Sequence, residues 1–416
     1  MTPEASQNIV FDSNLPGWLK QISLTKALNE TVGDVFSKLL GIRIENASKE
    51  GENYSSLLIR IIAEVEIKNG DAKCISFILK TTQANEMMAQ ILDMFRIFPK
   101  EEELYYRIIP RFEQLYRDAG KNLKFAPKAF KMDVDINKDY ILLEDLSDKS
   151  YKNANRIQGL DLHHMEAVLR KMAEYHAASA CYVECYGGYS EDFTVGVFSE
   201  KNASILGQFN KSTAFLMQLK KWPNCTAYYE KLANSDDYLV KRLLEDQRVN
   251  TGEFNVLNHG DCWSNNIMFQ YDAFGKIKDT LFIDFALGKY GSPANDLYYF
   301  ILSSSAADIK LSKFDYFIRY YYDYLIENLK LLNYSRPLPK LSGIHGSLYR
   351  NGLAAYMIVT KVLPATILDK SDEANLENYT NEKSKMVCSM YNNPKYITQM
   401  MEILPWLDNR GLLDWK

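Results

Sequence analysis

The sequence lacks several features that would assign it to a common class of protein. Its 416 residues carry a net charge of −4 with both signs interspersed, so no broad basic surface is offered to nucleic acid. No run approaches the roughly eighteen apolar residues that cross a bilayer, and the first residues show no signal peptide. We therefore expect a cytoplasmic protein that binds neither nucleic acid nor a membrane.

Cysteine and histidine are too sparse to suggest a metal centre. The six cysteines are scattered without a CxxC pair, which indicates neither a zinc site nor a disulfide framework. His163 and His164 are adjacent and cannot share one helix face, and His176 lies several turns away. We predict core or interface histidines, and a metal-dependent hydrolase ranks last among the possible functions.

The length and the apolar content of the chain predict two lobes. With 47% hydrophobic residues the chain can bury a large core. Residues 15–40 have a helical stripe, whereas residues 57–66 and 73–80 are β-branched-rich runs around an Asn-Gly-Asp turn. We expect an α+β fold with an N-terminal lobe at residues 1–145, built on a small antiparallel sheet, and a larger, mainly helical lobe at residues 146–416.

The stretch 256–300 contains a pattern that is typical of phosphoryl transfer. In it, His259-Gly260-Asp261 is followed five residues later by Asn266, and Asp284 ends a later apolar run. Asp261 would accept a hydrogen bond from the attacking hydroxyl, and Asn266 and Asp284 would give hard oxygen ligands to Mg²⁺. The alternative is that these are ordinary polar loop residues. The His-Gly-Asp triplet alone would favour that alternative, whereas its combination with Asn266 and Asp284 favours the functional interpretation.

A predicted hairpin would bring these residues together. Residues 266–269 and 281–283 indicate two short strands joined by a turn at 272–276. Such a hairpin returns the chain, so that Asp284 lies near Asn266. The neighbouring Cys262 suggests a thiol mechanism, but the pattern needs no His-Cys pair, and a small buried side chain is the favoured interpretation.

The same stretch resembles a known family. The motifs NHGDCWSNNIMF and LFIDFALGKYGSPANDLYYF resemble the ecdysteroid kinase-like (CHK-kinase-like) family, relatives of the choline and aminoglycoside kinases with a protein-kinase-like two-lobe fold. The resemblance extends over nearly the whole chain. It implies Asp261 as catalytic base, Asn266 and Asp284 as Mg²⁺ ligands, and Asp296 as an acid that braces the loop. One departure is Ala286, where the family usually has Gln.

A polar turn before the sheet is the candidate phosphate-binding segment. Backbone N–H groups of such a turn can bind phosphate oxygens, although no G-x-G-x-x-G loop is present. In the family a GENY-S segment covers the nucleotide, and the chain has the same letters here. The resemblance therefore implies ATP contacts from Gly51, Asn53, Tyr54 and Ser55.

Lys80 and a helix glutamate are the candidate charged pair. Lys80 ends a predicted strand, where a lysine is often simply solvated. The functional alternative is that a helix glutamate holds Lys80, whose point charge then reaches the nucleotide phosphates. The family pattern F-x-x-E-x-x-x-Y followed by Pro corresponds to Phe98, Glu101, Tyr105 and Pro110. This pattern selects Glu101 over its acidic neighbours.

The last candidate nucleotide contacts lie at the end of the strand predicted within residues 138–146. An apolar run that ends in a polar break suits a hinge between lobes whose backbone pairs with an adenine edge. The resemblance of Leu-Glu-Asp-Leu to the family segment implies the same place, with Glu144 and Leu146 as the named positions.

These observations together predict an ATP- and Mg²⁺-dependent O-phosphotransferase, with ATP between the lobes. The resemblance implies a steroid-like or other lipophilic alcohol as acceptor, with ecdysteroids the named candidate, and the aromatic helix at 314–326 agrees loosely. A choline- or aminoglycoside-type kinase with a cationic acceptor and a non-catalytic, pseudokinase-like carrier remain as alternatives. Oligomeric state stays open.

Regulation by phosphorylation is not expected. Protein kinases have Arg between the His and the Asp of this loop, where it pairs with a phosphorylated segment, and this chain has Gly260. Only a short interval separates Asp284 from Asp296, which leaves little room for a long regulated segment. We predict constitutive activity.

Overall fold

The computed structural model describes residues 8–11, 15–47, 56–82, 90, 92–133, 139–209, 212–233, 236–369, 378–379, 381 and 383–414. Chain contacts divide the protein into two compact units, one of residues 1–94 and 127–151 and one of residues 95–126 and 152–416. Residues 95–126 thus belong to the second unit, although they precede the predicted lobe boundary. The predicted lobes, 1–145 and 146–416, stay a prediction.

The first unit contains a mixed sheet and short helices. Its elements are β1 (Asn8–Phe11), a 3₁₀ turn (Gly17–Gln21), α1 (Thr25–Val32), a 3₁₀ turn (Gly33–Val35), β2 (Phe36–Asn46), β3 (Ser56–Ile67), β4 (Ala72–Thr82), β5 (Ala129–Phe130), β6 (Tyr140–Glu144) and a 3₁₀ turn (Leu146–Lys149).

The described strands form one sheet in the order β1-β2-β3-β4-β6-β5. The β1–β2 pair is parallel and the other pairs are antiparallel. Alternate residues of β3 (Ile59, Ile61, Ala63 and Val65) are buried in the core, as the pleat of a strand requires. The sheet predicted from residues 57–66 and 73–80 is confirmed.

The prediction of helix over residues 15–40 is wrong at its end. Helix α1 stops at Gly33, whose φ of +70° is left-handed and closes a helix at little cost. Residues 36–40 begin β2 instead, and β2 pairs along β3 with Ile42 and Ile44 buried. Pairing with a neighbouring strand overrides the local helical stripe, because β-structure depends on its partners more than on local propensity.

The second unit is mainly helical. Its elements, with β7 (Tyr151–Lys152) at the boundary between the units, are α2 (Ile97–Glu103), a π-helical turn (Leu104–Ile108), α3 (Ile109–Asp118), α4 (Leu162–Tyr186), α5 (Glu191–Thr194), a 3₁₀ turn (Glu200–Asn202), α6 (Ala203–Phe209), α7 (Thr213–Leu219), α8 (Thr226–Leu232), α9 (Asp236–Asp246), β8 (Val256–Asn258), a 3₁₀ turn (Ser264–Asn266), β9 (Ile267–Tyr271), β10 (Ile277–Phe282), β11 (Lys289–Gly291), α10 (Ala294–Ser304), α11 (Ala307–Lys310), α12 (Phe314–Leu331), α13 (Leu341–Arg350), α14 (Gly352–Met357), a π-helical turn (Ile358–Val362), α15 (Leu363–Thr366), α16 (Lys385–Asn392) and α17 (Pro394–Asn409).

Helix α4 is central to this unit because it contacts α12, β8 and β10. The aromatic helix α12 buries Phe317, Tyr321 and Leu325, which confirms that this stripe belongs to the core. A sheet-containing unit followed by a helical one confirms the expected α+β class. In the described part of the chain, no helix combines the length and the apolar character that a membrane span needs.

Candidate active site

Two short strands position the loop that carries Asp261. Strand β8 is fully buried and pairs antiparallel with β11, with Asn258 opposite Lys289. The loop at residues 259–261 leaves the end of β8, and the 3₁₀ turn then leads into the β9–β10 hairpin. The predicted hairpin is confirmed, since β9 and β10 pair in antiparallel register.

The carboxylate of Asp296 braces this loop from helix α10. Its oxygens accept the backbone N–H groups of His259 (2.6 Å) and Gly260 (2.9 Å), and Nε2 of His176 lies 3.1 Å from Oδ2. Burial alone raises the pKa of Asp296, but the hydrogen bond and charge of His176 and the N–H of Gly260 lower it overall. Asp296 therefore stays ionised and holds the loop backbone.

Gly260 is required by the fold of this loop. Its φ is +81°, and a Cβ built there would lie 2.1 Å from the carbonyl oxygen of Leu287. The loop and the segment after Asp284 therefore touch through their backbones, and only glycine fits between them.

The ring of His259 joins the loop to the end of β10. Its Nε2 lies 3.0 Å from the carbonyl oxygen of Ile283, and its Nδ1 accepts the N–H of Asp261 at 3.3 Å. One nitrogen faces an acceptor and the other faces a donor, so the ring is the tautomer protonated at Nε2. His259 thus positions the backbone of Asp261 against that of the predicted metal loop.

Asn266 and Asp261 are in direct contact. Nδ2 of Asn266 donates to Oδ2 of Asp261 at 2.8 Å and to its backbone carbonyl at 2.9 Å. Asn266 is buried and has little freedom to leave this position. Because Nδ2 is used by Asp261, the amide oxygen is the atom of Asn266 that suits a cation.

Asp284 lies at the end of β10 in an unusual backbone conformation. Its φ is +62°, a left-handed value that few non-glycine residues adopt. Its N–H donates to the hydroxyl of Tyr105 at 3.2 Å, and the N–H of Ile283 donates to the carbonyl of Asn266 at 3.0 Å. The backbone that leads into Asp284 therefore lies against Asn266, as the hairpin predicted.

The residue types at this place suit magnesium. An amide oxygen and a carboxylate are hard donors, and Mg²⁺ commonly takes one or two protein oxygens together with phosphate oxygens. Within the described ranges, no group of three or more His, Cys, Asp or Glu side chains could hold a metal ion without such help. Asn266 and Asp284 fit an ion that arrives with a nucleotide.

Tyr299 is a site residue that the sequence analysis missed. Its hydroxyl donates to Oδ1 of Asp261 at 2.5 Å. Burial, and then the charge and hydrogen bond of Asp261, raise the pKa of Tyr299 well above its ordinary value, so the phenol stays a donor. A signal was present in the spacing: Tyr299 lies three residues after Asp296 on α10, and residues at that interval share a helix face.

The cysteine that follows Asp261 has a structural role. Cys262 is fully buried, and burial, followed by the charges of Asp296 and Asp261, raises the pKa of its thiol. A buried, protonated thiol is a poor nucleophile. The prediction of a small buried side chain is confirmed.

The histidines of α4 have different environments. His176 is buried between Asp296 and Tyr321, whose hydroxyl lies 2.8 Å from Nδ1. His164 lies between Asp161 (2.7 Å) and Tyr271 (2.9 Å) at the contact with β9. Both confirm the core or interface prediction. His163 is exposed, so that prediction is wrong for it, because its position on α4 faces away from the buried stripe.

The predicted nucleotide contacts fall in both units. Gly51, Asn53, Tyr54 and Ser55 lie outside the described residues. In the first unit, Lys80 is only 4% exposed on β4, which excludes the solvated strand end. In the second unit, Glu101 is fully buried on α2 while Glu102 is exposed, so burial favours Glu101 among its neighbours. The roles of these residues stay predictions.

The predicted hinge positions are Glu144 and Leu146. The Glu144 carboxylate accepts the N–H of Lys128 and pairs with Lys149, and Leu146 is buried.

Between these positions, Asp145 holds the chain. Its carboxylate binds Arg60 (2.7 Å) and the hydroxyls of Ser76 and Ser147 (2.6 Å each). Burial alone raises its pKa, but these hydrogen bonds lower it overall. The backbone at the end of β6 is thereby fixed, a role that the sequence did not indicate.

Comparison with known proteins places the chain in a family. The model of the ecdysteroid kinase-like family matches residues 50–334, which is more than half of the chain and includes the loop at residues 259–261, the β9–β10 hairpin and α10. No curated protein matches the chain. The fold of the chain, with a sheet in its N-terminal region and helices in its C-terminal part, is consistent with a kinase-like fold. The match shows that the chain belongs to the ecdysteroid kinase-like family.

Proposed function

We propose that the protein is an ATP-dependent O-phosphotransferase that phosphorylates a hydroxyl group of a small molecule. The observation that carries this proposal is the held carboxylate of Asp261, which contacts Asn266 on a loop braced by Asp296. A carboxylate that is fixed in this way suits the acceptance of a hydroxyl proton during phosphoryl transfer. Membership of a kinase-like family supports the same reaction class.

Each site residue has a separate proposed role in this reaction. Asp261 accepts the hydrogen bond of the substrate hydroxyl and orients its oxygen for in-line attack on the γ-phosphorus. It takes the hydroxyl proton as the new P–O bond forms, while the bond from the γ-phosphorus to the bridging oxygen breaks and ADP leaves with that oxygen. Lys80 supplies positive charge to the nucleotide phosphates, and Glu101 is its proposed carboxylate partner. Mg²⁺ held by Asn266 and Asp284 would neutralise charge on the phosphate oxygens.

The nucleotide is proposed to contact further positions of the chain. Backbone groups of the segment with Gly51, Asn53, Tyr54 and Ser55 bind phosphate, and the chain at Glu144 and Leu146 binds the adenine edge.

The proposed acceptor is a lipophilic alcohol of the ecdysteroid or related steroid type. Its support is the family match together with the abundance of aromatic residues in the second unit. The outer face of α12 is a row of tyrosines, in which Tyr320 and Tyr324 have ring centres 4.9 Å apart and the Tyr316 hydroxyl donates to Glu166. Arg170 lies 5.6 Å from the ring centre of Tyr324, so this row carries both charge signs and gives no preference for a cationic acceptor.

A screen of acceptors tests the reaction. The full chain is incubated with Mg-ATP and sterols, amino alcohols or plant glycosides, and products are measured by mass spectrometry. Gain of one phosphoryl group on a sterol supports the proposal. Gain on an amino alcohol alone would contradict the steroid acceptor and establish a cationic acceptor instead. Ligand binding without any product would establish the non-catalytic carrier instead.

Substitution of the base tests the assignment of Asp261. In Asp261→Asn we expect turnover to fall by about 10²–10⁴-fold, the usual contribution of general base catalysis. The amide keeps the size of the side chain, so binding of Mg-ATP, measured by calorimetry, is expected to persist. Asp308→Asn, on an exposed position of α11, is the matched control and should keep full turnover. Equal turnover in the two variants would contradict the assignment.

A further inference from the structure

We propose that Tyr299 is a positioning residue that fixes the carboxylate of Asp261 for phosphoryl transfer, an inference that rests on the proposed function. The geometry is a pair of donors on opposite oxygens of one carboxylate. Tyr299 donates to Oδ1 at 2.5 Å, and Nδ2 of Asn266 donates to Oδ2 at 2.8 Å. Each donor restrains rotation of the carboxylate about its Cβ–Cγ bond, and the two together favour one orientation.

The two donors act on different oxygens of Asp261. An ionised carboxylate has about four lone-pair sites on two oxygens, so a carboxylate can accept two such donors and a substrate hydroxyl together. The restraint by Tyr299 and Asn266 is therefore compatible with a hydrogen bond from an incoming hydroxyl.

Tyr299 is itself held by the helix that braces the loop. Helix α10 carries Asp296 and Tyr299 three residues apart, and Asp296 binds the backbone of residues 259 and 260. The hydroxyl of Ser303 donates to the backbone carbonyl of Tyr299 at 2.6 Å. One rigid element thus binds the backbone of the catalytic loop and the side chain of its base, so the distance between the two restraints is fixed.

Orientation is the quantity that this chemistry needs most. In phosphoryl transfer the bond to the leaving group is largely broken before the hydroxyl loses its proton, so catalysis depends on alignment of the nucleophile more than on a strong base. Small errors of position lower the rate of the chemical step, while they leave nucleotide binding unchanged. Loss of the Tyr299 hydroxyl should therefore reduce kcat and spare KM.

The neighbouring tyrosine offers a matched control. The hydroxyl of Tyr298 donates to the carbonyl of Leu348 at 2.9 Å and points away from the base. Tyr298 is buried, and Tyr299→Phe and Tyr298→Phe each remove one hydroxyl from consecutive positions of the same helix. Both variants are compared with the parent by ADP release from Mg-ATP, with water as the acceptor, and by thermal unfolding of the full chain.

We expect Tyr299→Phe to lower kcat by about 10–100-fold, the size of effect that a misplaced reacting group produces, with KM for Mg-ATP unchanged. Tyr298→Phe should lower the melting temperature and keep kcat. In an Asp261→Asn background, Tyr299→Phe should cause no further loss, because the group that it positions is already absent.

Each outcome decides the inference. Parental kcat in Tyr299→Phe would overturn the positioning role and leave the proposed function intact. Equal losses of kcat in the two Phe variants, with matching losses of stability, would overturn it in favour of general packing. A further loss in the Asp261→Asn background would show that Tyr299 acts elsewhere. A parent that releases no ADP with water and phosphorylates no compound in the acceptor screen would overturn the proposed function and this inference together.

Discussion

Two requirements meet at Asp284: the predicted metal site needs a carboxylate, and the backbone needs a residue that tolerates a left-handed conformation. Its left-handed backbone (φ +62°) is tolerated by Asp and Asn better than by other residues with side chains, because their short polar groups bond locally. The hydroxyl of Tyr105, which lies in a π-helical turn, accepts the N–H of Asp284. Such turns are often found at functional sites. The carboxylate can therefore be changed to an amide while the backbone is kept.

Asp284→Asn separates these two requirements. We expect the Mg²⁺ concentration for half-maximal turnover to rise by at least about 10–100-fold, since loss of even an outer-shell partner of a metal costs this much. The backbone should be unchanged, because Asn adopts left-handed angles as readily as Asp. Turnover of Mg-ATP is measured against free Mg²⁺ at a fixed ATP concentration.

Asp272 provides the control for this change. It lies in the turn of the same hairpin, where Oδ1 accepts the N–H groups of Phe274 and Lys276, and an Asn oxygen can do the same. Asp272→Asn should keep the parental dependence on Mg²⁺. A parental dependence in Asp284→Asn as well would remove Asp284 from the predicted metal site.

Sequence spacing could identify some of these residues and not others. Asp261, Asn266 and Asp284 lie within one loop and the hairpin that follows it, so a single local pattern contains them. Asp145 has no such local mark, and the spacing of Tyr299 from Asp296 gives its helix face but not its partner, because Asp261 and the Arg60–Ser76 pair are distant along the chain. Their roles exist only once the fold has brought these side chains into contact.

At the scale of elements, local pattern predicted those whose partners are near in sequence. The β3–β4 and β9–β10 hairpins are each closed by a short turn, and both were predicted. The start of β2 was not predicted, since residues 36–40 have helical spacing and become a strand only by pairing with β3. Gly33 ends the helix before them.

Gly260 shows how two elements constrain one position. In Gly260→Ala we expect the free energy of unfolding to fall by about 3 kcal/mol, from a left-handed alanine and the overlap of its Cβ with Leu287. The overlap involves backbone atoms, 2.1 Å from oxygen and 2.6 Å from carbon, so a side-chain rotation cannot relieve it. Turnover should fall too, since the loop must move. Urea unfolding and ADP release measure the two effects.

Gly275→Ala isolates the backbone contribution. Gly275 has φ +78° in the β9–β10 turn, and no atom lies within 4 Å of the Cβ position. Only the conformational cost of about 1–2 kcal/mol applies there. A Gly260→Ala variant no less stable than Gly275→Ala would show that the loop and the segment at Leu287 can separate freely.

At the scale of the whole molecule, the segment between Asp284 and Asp296 is built into the second unit. It contains β11, which pairs with β8, and Lys289 donates to the carbonyls of Thr194, Gln247 and Tyr290. Burial, followed by the charge of Lys100, lowers the pKa of Lys289 to about 8. The segment is therefore anchored by backbone pairing and by a buried lysine, with no phosphate needed to order it.

Treatment with a phosphatase tests whether the molecule is active without modification. We expect treated and untreated enzyme to release ADP from Mg-ATP at the same rate, with removal of phosphate verified by intact mass. Phosphorylation activates kinases by pairing with an arginine that orders a loop, and here Gly260 occupies that arginine's position in contact with Leu287. Activity that is lost on treatment and restored by rephosphorylation would contradict this expectation. Because the contact with the backbone of Leu287 excludes any side chain at residue 260, an arginine there is incompatible with this loop conformation. Activation by a phosphate that pairs with such an arginine is therefore incompatible with it too.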